Sequence, residues 1–85
     1  MRKMFTAKIT VKFKKNIKNP ETQTLETLLK RLSIDEIKGI KYAKFYEFKI
    51  DAKNKSEAEK IAEELAKNIL SNPIIEETEV AVSNE

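Results

Sequence analysis

The chain has 85 residues, of which 40% are hydrophobic and 36% are charged, with a formal net charge of +3. Charges of both signs are interspersed, which is typical of a soluble globular domain and argues against disorder. Because the chain has no cysteine and no histidine, a disulfide framework, a thiolate metal site, the commonest general base and the familiar nucleophilic triads are all excluded.

The first predicted element is a β-strand that begins near Phe5. Apolar side chains alternate with threonine and lysine at a period of two, as in a strand with one buried and one solvated face. The apolar positions are Phe5, Ala7, Ile9, Val11 and Phe13.

The next predicted element is a helix that begins at Asn19-Pro20. Asparagine is a favoured N-cap, and proline is favoured at the first helical position. Leucines then recur at helical spacing and form one apolar stripe. Gly39 lies at the end of the connection that follows, and as the only glycine it is expected to adopt a backbone conformation that other residues resist. The stripe consists of Leu25, Leu28, Leu29 and Leu32.

Residues 40–52 form a long segment rich in aromatic and β-branched side chains. Strands usually have about five or six residues, so we expect this one to bend or to split into two near Ala43-Lys44. Lys44 shares its parity with Tyr42 and Tyr46 and interrupts an otherwise apolar face. It therefore needs a carboxylate partner or a route to solvent.

A second amphipathic helix follows. Its cap is expected within Asn54 to Ser56, and Ser56 and Glu59 match a capping box. Asn72-Pro73 ends it, because proline disfavours the helical conformation of the preceding residue and donates no hydrogen bond. A last strand follows at once and is expected to end near Val82. The short junction at 70–76 therefore fixes the last strand relative to the helix. The apolar face of this helix is Ala58, Ile61, Ala62, Leu65, Ala66, Ile69 and Leu70.

The order of strand, helix, long strand, helix and strand predicts an α+β domain. Two helices are expected on one face of a small antiparallel sheet, in a layout related to the ferredoxin-like fold. We expect a single domain over residues 1–85, ordered from about residue 4 to about residue 82. The open sheet edges favour pairing with a second copy, so a homodimer is predicted, with a tetramer as the alternative.

No residue stands out as catalytic, cofactor-binding or metal-binding. The paired carboxylates Asp35-Glu36 and Glu76-Glu77 are interpreted as solvated surface, and a single glycine cannot build a phosphate-binding loop. No apolar leader follows Met1, and no run approaches the roughly 20 residues that span a membrane. A cytoplasmic protein is therefore expected, with neither nucleic acid nor membrane as a partner.

Taken together, these segments resemble the PurS family, the small subunit of phosphoribosylformylglycinamidine synthase (FGAM synthase). An alternating strand that ends in lysine and an Asp-Pro-x-Gly start of the first helix correspond to residues 11–14 and 19–22. The family segments Val-Arg-Val-Gly-Lys-x-x-Glu and Leu-x-Asn-Pro-Val-Ile-Glu correspond to 40–47 and 70–76. Family glycines are replaced by Thr22, Ser33 and Ala43.

The resemblance implies a non-catalytic subunit in de novo purine (IMP) biosynthesis. Such a subunit bridges a glutaminase subunit and a large synthetase subunit and assists ammonia transfer between them. The assembled complex converts formylglycinamide ribonucleotide and glutamine to formylglycinamidine ribonucleotide and uses ATP and Mg²⁺, while this chain needs no cofactor. The expected interface residues are Lys44, Glu47, Asn72, Pro73 and Glu76.

Two other functions stay open. The segment from Lys41 to Phe48 has a faint likeness to an RNA-recognition strand, so a small ferredoxin-like RNA-binding domain would use Tyr42, Phe45 and Phe48 with flanking lysines. A ferredoxin-like ligand-sensing module would instead bind a small molecule at its dimer interface.

Overall fold

The computed structural model describes residues 2–85. Its strands form one antiparallel sheet in the order β2-β1-β3, which confirms the predicted α+β class. Within residues 2–85, no helix is both long and apolar enough to cross a membrane. The elements are β1 (Lys3–Phe13), α1 (Pro20–Arg31), β2 (Ala43–Ala52), α2 (Lys55–Leu65) with its π-helical last turn (Ala66–Leu70), and β3 (Glu76–Asn84).

The core lies between α2 and one face of the sheet, here called the inner face. Odd-numbered side chains of the central strand β1 point to this face, and Phe5, Ile9 and Val11 are each at most 2% exposed. α2 contributes small residues to the core, so its backbone approaches the sheet closely. These are Ala58 and Ala62, followed by Ala66 in the last turn.

β2 is a single unbroken strand, so the expected bend or split is wrong. Its register with β1 runs without interruption from Lys3 opposite Ala52 to Lys12 opposite Ala43. Residues 40–42 lie outside the strand, which explains why the segment looks too long in the sequence. A bulge would leave ladder hydrogen bonds of the central strand unpaired, whereas an even register satisfies them.

α1 departs from the expected layer of two helices on one face. It packs against no strand and no other helix within residues 2–85. Three leucines of its stripe are correspondingly open to solvent, with Leu25 43%, Leu28 44% and Leu32 58% exposed, while Leu29 is partly buried. The radius of gyration is 16.9 Å, whereas a compact domain of this length has about 12 Å. Half of the expected helical layer is therefore missing from the chain's own sheet.

Ser33, rather than Gly39, carries the special backbone conformation. The Ser33 amide donates to the Lys30 carbonyl and the Ile34 amide to the Leu29 carbonyl, both at 3.0 Å, which is the hydrogen-bond pair of a Schellman motif. Ser33 has a φ of 59°. Gly39 has no positive φ, and a Cβ there would meet no described atom within 4 Å. The expectation for Gly39 is therefore wrong, and the left-handed position lies at Ser33, directly after α1.

Ser33→Gly is expected to raise the free energy of unfolding by about 0.5–1 kcal/mol, because glycine enters the left-handed region without the Cβ clash. The gain is net of the extra freedom that glycine has in the unfolded chain. Urea denaturation followed by circular dichroism measures it. Gly39→Ala is the matched control and should leave stability unchanged or slightly raised; a Ser33→Gly protein no more stable than the parent would contradict this account.

The start of α2 is capped by Asn54, which lies at the beginning of the expected range 54–56. Asn54 has an extended backbone, and its Oδ1 accepts from the Glu57 amide at 2.9 Å. The Glu57 Oε1 accepts in return from the Lys53 amide at 3.4 Å. Since Ser56 already lies inside the helix, it cannot act as a cap with Glu59, and that prediction is wrong.

β3 extends beyond its expected end at Val82. Asn84 pairs with Phe5, and the Glu85 amide donates to the Met4 carbonyl at 3.4 Å. The central strand begins at Lys3, so it offers backbone partners along the whole of β3.

Candidate assembly interface

The connection from α2 to β3 is a tight turn closed by hydrogen bonds around Asn72. Its amide donates to the Glu76 Oε1 at 2.8 Å, and its Oδ1 accepts from the Ile74 amide at 3.1 Å. Its carbonyl accepts from the amides of Ile75 at 3.1 Å and Glu76 at 2.8 Å. Pro73 sits inside this turn, where its ring fixes φ and no donor is required of it. The hydrogen bonds of Asn72 and the fixed φ of Pro73 together restrict the backbone of this turn.

Glu76 links this turn to the sheet. Its side chain is only 10% exposed, and its Oε2 lies 3.8 Å from the Nζ of Lys44. Lys44 lies opposite Val11 on the inner face of the sheet, and its side chain is 46% exposed. The lysine that interrupts the apolar parity thus has both the carboxylate partner and the access to solvent that the sequence requires.

Exposed apolar side chains flank the turn on both sides in the sequence. Ile69 is 72% and Ile74 is 80% exposed, and Pro73 between them in sequence is also exposed. We call Ile69, Pro73 and Ile74 the junction patch. In the sequence, Ile69 falls on the apolar face of α2 if the whole helix has 3.6 residues per turn, as an α-helix does. The last turn is π-helical instead, a feature frequent at functional sites.

Ile74 carries a signal in the sequence that the strand interpretation misses. It follows directly on Asn-Pro and precedes Glu76, where β3 begins. A β-branched residue inside a proline turn has no strand neighbour to cover it. The Asn-Pro-Ile order is therefore a sequence signal for an exposed apolar side chain.

Four of the five expected interface residues come together here, namely Lys44, Asn72, Pro73 and Glu76. Glu47 does not join them. It lies opposite Lys8 on the outer face of the sheet, because residues three apart along a strand point to opposite faces. The spacing Lys-x-x-Glu therefore gives two separate surfaces instead of one cluster.

The aromatic residues of the RNA-binding hypothesis do not share a surface. Phe48 lies on the inner face and stacks on Tyr46 with ring centroids 6.0 Å apart. Phe45 lies on the outer face and is 60% exposed. Tyr42 precedes the strand, and the nearby Glu21 carboxylate raises the pKa of Tyr42. Stacking of bases on one sheet face requires aromatics on that face, so the arrangement does not favour RNA binding.

Exposed apolar side chains mark the surface of the described residues. Within residues 2–85, no group of three or more aspartate and glutamate side chains is placed to hold a metal ion. No buried side-chain nitrogen or oxygen in that range lacks a hydrogen-bond partner. What stands out instead is exposed apolar area, on the leucine stripe of α1 and on the junction patch.

Comparison with known proteins decides the family. Residues 6–84 match the family model described as PurS, phosphoribosylformylglycinamidine (FGAM) synthase. The chain belongs to the PurS family. It is 29% identical over 79 residues to the PurS subunit of phosphoribosylformylglycinamidine synthase from Methanocaldococcus jannaschii, across 93% of this chain and 95% of that protein. The chain is thus a subunit of FGAM synthase, an enzyme of purine biosynthesis.

Solved structures agree with this assignment. The PurS subunit of FGAM synthase from Thermotoga maritima superposes with a TM-score of 0.81 at 26% identity, over 98% of this chain and 95% of that chain. A structure of PurLQS from the same organism contains a chain that matches with a TM-score of 0.80 at 28% identity, over 94% and 98% of the two chains. The family and fold expected from the motifs at 11–14, 19–22, 40–47 and 70–76 are confirmed.

Proposed function

We propose that this chain is a non-catalytic assembly subunit that bridges the glutaminase and synthetase subunits of FGAM synthase. The observation that supports it most directly is the likeness, over 94% of the chain, to a chain of the solved PurLQS structure. A bridging subunit needs shape and contact surfaces and no nucleophile, which agrees with the absence of cysteine and histidine. In this proposal Lys44, Asn72 and Glu76 hold the junction patch in position for a partner subunit.

The assembled complex uses glutamine, ATP and Mg²⁺ in the cytoplasm to convert formylglycinamide ribonucleotide to formylglycinamidine ribonucleotide. The ammonia released from glutamine must stay unprotonated until it reacts, so its path between subunits must exclude bulk water. The contribution of this chain is to hold the two active subunits in a fixed relation, and it binds neither ATP nor Mg²⁺ itself.

The functional unit in this proposal is a homodimer. The stripe of α1 exposes Leu25, Leu28 and Leu32, while the inner-face aromatics of β2, Tyr46 and Phe48, are only partly buried by α2. A helix with an open apolar stripe and a sheet face that lacks half of its helical cover are complementary surfaces. A second copy can satisfy both, because twofold symmetry places the helix of each protomer against the partner.

Reconstitution with purified subunits from one organism tests the bridging role. Alone, the chain is expected to produce no formylglycinamidine ribonucleotide. Added to the glutaminase and the synthetase, it is expected to restore synthesis from glutamine, while synthesis from free ammonia by the synthetase stays unchanged. If the other two subunits give full glutamine-dependent activity without it, the proposal is wrong.

A further inference from the structure

A basic cleft lies between the β1–α1 loop, the first turn of α1 and the segment before β2. We call it the lysine cleft, and its volume is about 760 Å³. The lysines that line it include Lys14, Lys15, Lys18 and Lys41. None of these four forms an ion pair within residues 2–85. Lys12 also lines the cleft, but its Nζ already donates to the Glu79 Oε1 at 2.7 Å.

The cleft adjoins the junction patch. The Lys14 amide donates to the Ile75 carbonyl at 2.9 Å, so the lysine-bearing loop is fastened to the turn that carries Pro73 and Ile74. A partner that covers the junction patch therefore comes within reach of the lysines.

The four lysines are all exposed, which argues against a site for a small anion. Small-ligand sites enclose most of the ligand and fix it with a few converging polar groups. Here the lysines are interspersed with apolar side chains, among them Ile17 and Ile40. Apolar contact area bordered by solvated charges is the usual composition of a protein–protein interface.

Two carboxylates in the cleft favour an acidic protein over a nucleic acid as its binding partner. Glu26 and Glu77 line the same cleft as the lysines. A continuous phosphate backbone would pass close to both carboxylates and be repelled. An acidic protein segment can instead place its few carboxylates against the lysines alone.

We propose that the lysine cleft docks an acidic segment of a partner subunit and accelerates assembly of the complex. This inference rests on the proposed bridging function. Complementary charges at the rim of an interface raise the association rate more than the affinity, and they make that rate depend on salt. The lysine cleft thus steers the partner, and the adjoining junction patch supplies the apolar contact.

The test compares two quadruple variants with the same change in net charge. In one, Lys14, Lys15, Lys18 and Lys41 are replaced by glutamine. In the matched control, the same replacement is made at Lys3, Lys55, Lys60 and Lys67, which are exposed and form no ion pair within residues 2–85. Association with the purified glutaminase and synthetase is followed by stopped flow in about 0.02 M and about 0.3 M salt, which spans weak and strong screening. Circular dichroism checks that both variants are folded.

The cleft variant is expected to associate about tenfold more slowly than the parent in low salt, with little further slowing in high salt. The control should keep most of the rate and its salt dependence, and a poly-glutamate peptide should slow the parent and the control but not the cleft variant. Equal rates for the parent and the cleft variant would overturn this inference and leave the bridging role intact. Equal slowing of both variants would assign the effect to net charge. Tight binding of a single-stranded RNA that only the cleft variant loses would assign the cleft to nucleic acid. A parent that never associates would contradict both proposals.

Discussion

Replacing Leu25 and Leu28 with glutamine is expected to convert the proposed homodimer into a monomer. Both leucines are a little under half exposed in the single chain, so covering each by a partner would contribute about 1 kcal/mol. Twofold symmetry doubles this, and four lost leucine contacts total about 4 kcal/mol, or roughly a thousandfold in the dimer dissociation constant. Glutamine has nearly the helix propensity of leucine, so α1 itself should persist.

Sedimentation equilibrium over a range of concentrations measures the change. Thr27→Gln is the matched control, because Thr27 lies on the side of α1 opposite the leucine stripe and its hydroxyl donates to the Gln23 carbonyl at 3.0 Å, in the preceding turn of the helix. This control should remain dimeric. A parent protein that is monomeric at every concentration, or a control that dissociates equally, would exclude the leucine stripe as the dimer contact.

Replacing Glu76 with alanine is expected to lower the free energy of unfolding by about 2 kcal/mol. The carboxylate is 10% exposed, and its loss leaves the Asn72 amide without its 2.8 Å acceptor. The ion pair with Lys44 adds less, since half-exposed pairs are screened by solvent. Glu76→Gln keeps an oxygen acceptor for the amide, so it should cost under about 1 kcal/mol. Urea denaturation of the parent and both variants separates the hydrogen bond from the charge.

The neighbouring Glu77 provides the control for this experiment. Its side chain is 53% exposed and lies 3.8 Å from Lys12, so Glu77→Ala should change stability by less than about 0.5 kcal/mol. If Glu76→Ala and Glu77→Ala are equally mild, the Asn72 turn does not depend on the Glu76 carboxylate. A destabilised turn should also weaken the assembly of Glu76→Ala with the other subunits.

Features that depend on a few neighbouring residues are predictable from the sequence. The alternation from Phe5 to Phe13 gives β1, because side chains of a strand change face at every residue. The Asn19 cap, with its Oδ1 accepting from the Glu21 amide at 2.9 Å, follows from Asn-Pro at a helix start. The stop at Asn72-Pro73 and the need of Lys44 for a carboxylate also follow from local chemistry.

Predictions that chose between local alternatives were less successful. Ser56 and Asn54 both have side chains that can cap α2, and the start of the helix decides between them. Gly39 is permitted a left-handed conformation but does not need it, whereas Ser33 needs it because the α1 end closes as a Schellman motif. The residue type shows which positions can adopt the left-handed conformation, but the path of the backbone decides which position must adopt it.

By itself, the sequence determined the order of elements, the start of the first helix at Asn19-Pro20, the end of the second helix before Asn72-Pro73, and the family. Only the tertiary structure decided that α1 leaves its own sheet, that Glu76 meets Lys44 while Glu47 faces away, and that Lys14 and Lys41 border one cleft. The reason is the range of the interactions. Periodicity and capping act over a few residues, but contacts between distant segments follow from the strand order β2-β1-β3, which no short pattern in the chain specifies.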